Sequence, residues 1–423
     1  MTTVLVTAPP VVRSARRRLV QIAISVAVVS MPLLRPSGPG NTGLVDLALV
    51  GAMVTCTVWA STRSVRARLP YALPVGLTMT AGALAVVINS GHPGVVERGA
   101  IALAQDLFVF GWAAAVATVG SDHRLLDTFC RAWAYSATAW AAVMIIGEVA
   151  GIAWLSGISA RDGIRASLTL GDPNLAASYF VCGLLVMRAT RRPRRTGLRW
   201  AACALVVTAV VLTLSNGGIL AVLAATVLGW LIALARRRGP MVAVAAAAAL
   251  ALGVVATLST VDIRGRVNRV EESSPLIRDS LGRERESSGS RSTVAHETVQ
   301  LWLETETILG IGPASTEATL RANQAPYVKE AHDDYLAALL ERGVLGGIAL
   351  TLLIATVAVR SRRICAAEGV GAQYRAVVPR PELLAAAAVA VGLSAVVYEV
   401  LHFRHVWALL GLIAALGLSG RGR

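Results

Sequence analysis

The feature that most constrains this chain is a repeated one: apolar runs close to twenty residues long, separated by short connections that carry arginine. An α-helix rises 1.5 Å per residue, so about twenty residues cross a hydrocarbon layer of ~30 Å. The runs fall near 19–34, 43–61, 71–89, 99–120, 132–155, 173–187, 200–215, 217–235, 240–258, 344–359, 383–400 and 404–419. They predict an all-α polytopic transmembrane bundle of about twelve spans. Composition agrees: 55% of the residues are hydrophobic and 15% charged, where soluble domains carry roughly a quarter charged.

The arginines orient the bundle. Twenty-five lie in one alternating set of connections and tails, among them Arg16 to Arg18, Arg63 to Arg68, Arg188 to Arg199, Arg236 to Arg238 and Arg360 to Arg380. The opposite short connections hold five, namely Arg35, Arg98, Arg161, Arg165 and Arg404. By the positive-inside rule both termini are expected in the cytoplasm of a cytoplasmic-membrane protein, and the long segment 259–343 outside. Four parts follow: a cytoplasmic segment 1–18, nine spans in 19–258, an extracytoplasmic loop 259–343, and three spans in 344–423. The net charge of +15 is thereby assigned to topology. No aromatic residues interleave with the arginines as a base-stacking surface requires, so nucleic acid is not an expected partner. The five cysteines form no CxxC and predict neither a disulfide framework nor a metal site. No small-residue cleavage site follows the first run, so that run is expected to stay.

Three outer features could carry chemistry. Arg165 precedes Gly171-Asp172-Pro173-Asn174, where Asp172 and Pro173 read as a cap and first residue of a helix. A guanidinium held there either snorkels to headgroups or grips an anion bidentately. Arg291 opens an amphipathic helix over 292–309 that leads to Gly310-Ile311-Gly312. His332 begins a second helix, 331–342, in Ala331-His332-Asp333-Asp334-Tyr335, on the same face as Tyr335, Leu336 and Leu339. Its imidazole has the pKa range of a general base, while Asp333 and Asp334 suit the first helical turn electrostatically. Inside the spans, Asp106 and Glu148 are costly in lipid and expected to face the bundle interior. They keep open a transporter or flippase that moves protons. His296, Glu297 and His332 to Asp334 offer metal-type ligands without a recognised spacing, and no phosphate-binding loop or nucleophile elbow is found in a useful context.

Ala331-His332-Asp333-Asp334-Tyr335-Leu336 with Glu341-Arg342-Gly343-Val344-Leu345-Gly346 is similar to a signature of the O-antigen ligase/polymerase family of membrane glycosyltransferases. Arg291…Trp302…Gly310-Ile311-Gly312-Pro313, Arg165…Gly171-Asp172-Pro173-Asn174, and Arg404-His405-Val406-Trp407 resemble further stretches of that family. The resemblance implies a polyprenyl-pyrophosphate-linked glycan as donor at the outer leaflet, and a glycan, lipid or protein as acceptor. It implies no cofactor and no metal. His332, Arg291 and Arg165 then take the catalytic roles, and Arg161, Asn174, Asn216, Tyr335 and Asp333 contact substrate. Two positions depart from the pattern. Asn216 stands where the family usually has arginine, which leaves Arg161 or Arg165 to take its place, and Asp333 stands for a usual asparagine. A ligase, a polymerase and a non-catalytic relative in polysaccharide assembly all remain open.

Overall fold

The computed structural model describes residues 10–34, 42–158, 164–260, 293, 296–304, 308–324, 333–366, 369–396 and 398–419. Among them the regular structure is helical and there is no strand. The helices are α1 (Pro10–Ser30), α2 (Leu44–Thr62), α3 (Ala72–Ile88), α4 (Val95–Val119), α5 (His123–Val149), the single turn α6 (Ala153–Ser156), α7 (Pro173–Thr190), α8 (Thr196–Leu212), α9 (Asn216–Arg238) and α10 (Pro240–Thr260). After them come the short α11 (Thr316–Ala322), the long α12 (Asp334–Cys365), α13 (Ala372–Val377), α14 (Glu382–Ser394) and α15 (Arg404–Ser419). Residues 296–304 are also helical.

A helix stands at each of the twelve apolar runs, and α2, α4, α5, α9 and α12 are long and apolar enough to cross a membrane. Several bounds differ from the sequence reading. Helix α5 starts at His123 because Asp122 caps it, accepting from the amides of Arg124 and Leu125. Helix α14 stops at Ser394, short of the end of the 383–400 run. Helix α12 fuses the expected amphipathic helix at 331–342 with the following run and begins at Asp334, with a non-helical break at Gly343.

The packing explains why so apolar a chain holds one arrangement. Helices α7 and α15 are buried over most of their length, and their neighbours pack around them. Trp112, Phe129, Trp133, Tyr179 and Phe180 fill the centre, with Phe129 and Trp133 in edge-to-face contact at 5.6 Å between ring centroids. The outer helices turn apolar side chains outward: Leu47, Val54 and Val58 on α2 and Met241 and Val244 on α10 are more than half exposed. A soluble protein does not present such a surface; a bilayer is what covers it.

Candidate functional site

The starts of α7, α9 and α12 are joined at one end of the bundle. Asp172 caps α7, accepting from the amides of Asn174 at 2.6 Å and Leu175 at 3.2 Å, and Pro173 begins the helix with no amide to satisfy. Asn174 presents its side-chain oxygen to two donors, Nη2 of Arg165 at 3.1 Å and the Ser215 hydroxyl at 2.9 Å. Ser215 in turn caps α9 by accepting from the Gly218 amide, which places Asn216 beside it as the first residue of that helix. Arg165 is further held by its Nε donating to the Thr213 carbonyl at 3.0 Å. The fork is thus fixed between two helix N-termini, where the partial positive charges of the peptide dipoles add to its own.

The third start belongs to α12. Asp333 caps it through the amides of Tyr335 at 2.7 Å and Leu336 at 3.1 Å. Burial pushes the Asp333 carboxyl up, and those amides oppose the shift. Tyr335 donates its hydroxyl to the Gly392 carbonyl on α14 at 3.0 Å. The buried Asp334 carboxylate accepts from the amides of Val400 and Leu401, and its own amide donates to the Ala395 carbonyl. Both tie α12 to the connection between α14 and α15. That connection closes the circuit, since the Tyr398 hydroxyl donates to the second oxygen of Asp172 at 2.6 Å.

Beside this circuit opens a cavity of about 300 Å³, walled by α3, α4, α12 and the start of α15. Its polar lining includes Asp106, Glu341, Arg342, Glu399, His402 and Arg404. Arg342 pairs with Asp106 across α12 and α4 at 2.6 Å, and Arg404 clasps Asp46 of α2 with two bonds of 3.0 and 2.9 Å. Burial, with Arg404 beside it, pulls His402 down to about 4, against an opposing pull from Asp172. The ring is therefore neutral near pH 7 and can both donate and accept.

The head of α12 is clamped from below by glycine. Gly343 has φ 63° and ψ −164°, and a Cβ there would lie 2.0 Å from the Ile308 carbonyl oxygen. Gly310, at φ 83°, approaches the same backbone, and a Cβ would meet the Gly343 nitrogen at 2.5 Å. Three ladder-like bonds fill the gap: Val344 to Ile308, Ile311 to Leu340 and Gly312 to Glu341, each at 3.0 Å. Glu341 also accepts from the Ala314 amide and the Thr316 hydroxyl. The Gly310-x-Gly312 and Glu341-x-Gly343 pairs are therefore two halves of one backbone contact.

Of the residues singled out from the sequence, Arg165, Asn174 and Asn216 stand together at the starts of α7 and α9. Asp333 and Tyr335 stand at the start of α12, in capping and interhelical bonds. Arg161, Arg291 and His332 lie outside the described residues. Asp106 is an ion-pair partner, and Glu148 lies outside the cavity that Asp106 lines, with one oxygen buried and no hydrogen-bond partner among the described residues. The sequence reading overlooked Glu399, because an apolar run drawn to residue 400 absorbed it, and passed over His402, which lies in the three-residue gap before the next run. A tyrosine, glutamate and histidine within five residues between two apolar runs was the available signal. Among the described residues no group of three or more His, Cys, Asp or Glu side chains converges as a metal site.

Residues 201–351, from the start of α8 to the middle of α12, match the model of a family described as O-antigen ligase. The match takes in Ser215 and Asn216, the Gly310–Gly343 contact and the head of α12. No curated protein matches the chain.

Proposed function

We infer that this chain, which carries an O-antigen ligase-related domain over residues 201–351, transfers or polymerises a polyprenyl-pyrophosphate-linked glycan at the outer face of the cytoplasmic membrane. At the coarser level it is a multi-pass membrane protein of polysaccharide assembly. The observation that carries the finer reading is the placement of Arg165, held by the Asn174 side-chain oxygen and the Thr213 carbonyl between the first turns of α7 and α9. Preset positive charge at that point suits a diphosphate better than a neutral headgroup.

The acceptor hydroxyl attacks the anomeric carbon of the donor sugar. The new C–O bond forms as the bond to the lipid diphosphate breaks, and the hydroxyl proton passes to His332. Negative charge grows on the departing diphosphate, so fixed guanidiniums stabilise the transition state more than the ground state. Arg165 takes this role together with Arg291. Arg161, Asn174 and Asn216 complete the donor side, and Asp333 and Tyr335 hold the helix that follows His332 against α14. Tyr335 and Asp333 then act on substrate through that placement. In this reading both termini are cytoplasmic and the segment 259–343 is outside, where it meets glycan, lipid or protein acceptors and membrane lipids.

The test is His332→Ala. Polymer or ligated product should disappear while the amount of protein in the membrane stays normal. Unchanged product length and yield would remove His332 from the mechanism, and with it the base-assisted attack on the donor sugar.

A further inference from the structure

At the end of the bundle opposite the Arg165 circuit, a second cavity of about 280 Å³ is lined by Arg188, Arg191, Arg199, Trp200, Cys203 and Arg380. Arg188 and Arg191 end α7, Arg199 to Cys203 begin α8, and Arg380 is brought in by its amide bond to the Ala189 carbonyl at 3.1 Å. The Arg188 guanidinium lies 4.7 Å from the centre of the Trp200 ring. Arg199 donates to the carbonyls of Arg191 and Pro193, which sets its position.

Among the described residues no carboxylate lines this cavity. Among the described residues the acids at this end are engaged elsewhere: Asp122 with Arg17, Asp127 with Arg131 and Arg192, and Glu382 with Arg236. Burial, then the neighbouring Arg191 and Arg188, push Arg380 below its ordinary value, with Glu382 opposing. Four like charges around one opening repel each other, and an anion between them relieves that repulsion. Planar guanidiniums match phosphate oxygens bidentately.

The walls distinguish the source of the phosphate. Trp200 and Leu198 are 57% and 56% exposed. From Trp200 an exposed stripe continues through Ala204, Val207 and Val211, at helical spacing along α8. A free anion has no use for such a stripe, whereas an acyl chain does.

We propose that this arginine cavity holds the phosphate of an anionic membrane lipid, whose acyl chain lies along the outer face of α8. The site is separate from the transfer reading, and its test is a binding measurement, so either can fail without the other.

The full chain, delipidated in detergent, is titrated with mixed micelles containing dioleoylphosphatidylglycerol, with micelles containing dioleoylphosphatidylcholine, and with inorganic phosphate. Binding is read by native mass spectrometry and by the shift in Tm. Phosphatidylglycerol should bind and raise Tm, and the other two should do so weakly. Arg188→Gln with Arg380→Gln should weaken phosphatidylglycerol binding by about 25-fold, roughly five-fold for each charge near a membrane surface. If the double variant does not fold, Arg380→Gln alone keeps the backbone bond to Ala189 and should show its five-fold share. Equal binding of the two lipids, an equal Tm shift from inorganic phosphate, or wild-type affinity in the variants would overturn the proposal.

Discussion

Replacing Gly343 by alanine puts a methyl group where the backbone of residues 308–309 already stands. The Cβ would lie 2.0 Å from the Ile308 oxygen and 2.6 Å from the Leu309 carbonyl carbon. To restore the 3.4 Å at which ordinary contact begins, that backbone must withdraw by about 1.4 Å. The Val344 to Ile308 bond, at 3.0 Å, does not survive such a shift. The φ and ψ of Gly343 fall in a region open essentially to glycine alone, which adds about 1–3 kcal/mol of strain for any other residue. Each backbone bond lost contributes about 1 kcal/mol. One to three of the ladder bonds go, so the contact loses about 2–6 kcal/mol. Hydrogen exchange reads this directly, because the Ile311 and Gly312 amides are protected only while the contact is closed. Their exchange should accelerate at least about thirtyfold, and product yield at matched protein level should fall. Gly51→Ala, on α2 with nothing within 4 Å of the new Cβ, is the control and should change neither. Exchange within about tenfold of wild type in Gly343→Ala, with full product yield, would refute the claim that the two glycine pairs form one contact that the site depends on.

Three further outcomes follow from charge. Asp106→Ala leaves Arg342, 17% exposed, without its carboxylate and should cost about 2–4 kcal/mol by detergent Tm; adding Arg342→Met should recover most of it. Glu148→Gln should leave product formation unchanged, whereas a shared loss in Glu148→Gln and Asp106→Asn would favour a proton path. His402 has a folded pKa of about 4 against 6.5 for the ordinary group. The unfolded chain therefore binds this proton first as pH falls. Stability should decline from pH 6.5 down to 4, and His402→Gln should lack that part of the decline in a Tm series.

Much of the frame was legible because one physical rule, the length of helix that lipid demands, acts locally along the chain. The caps were legible for the same reason: Asp172 before Pro173 and Asp333 before Tyr335 each need only the next three residues. What was not legible depends on partners far apart in the chain. Asp106 reads as an expense in lipid, but nothing near it says that Arg342, 236 residues on, is its counter-charge. The glycine pairs are visible as motifs, yet only the fold shows that one fills the space left by the other. Arg165 was visible as a cation; its fixed aim comes from Asn174 at the start of α7 and the Thr213 carbonyl just before α9. The apolar run to residue 400 hid Tyr398 and Glu399, because hydropathy averaging does not register where α14 ends.

The bonds between remote segments also bear on how the protein is made. Asp46 and Arg404 are separated by 358 residues. At roughly 5–20 residues per second the ribosome needs about 20–70 seconds to travel from one to the other. For that interval the carboxylate at the head of α2 is in the membrane boundary without its mate, and water or headgroups must serve it. The Tyr398 to Asp172 bond likewise waits on late synthesis. The mouth of the bundle is thus among the last parts to become whole, and a nascent chain still lacking α15 has neither the Arg404 clasp nor a complete cavity.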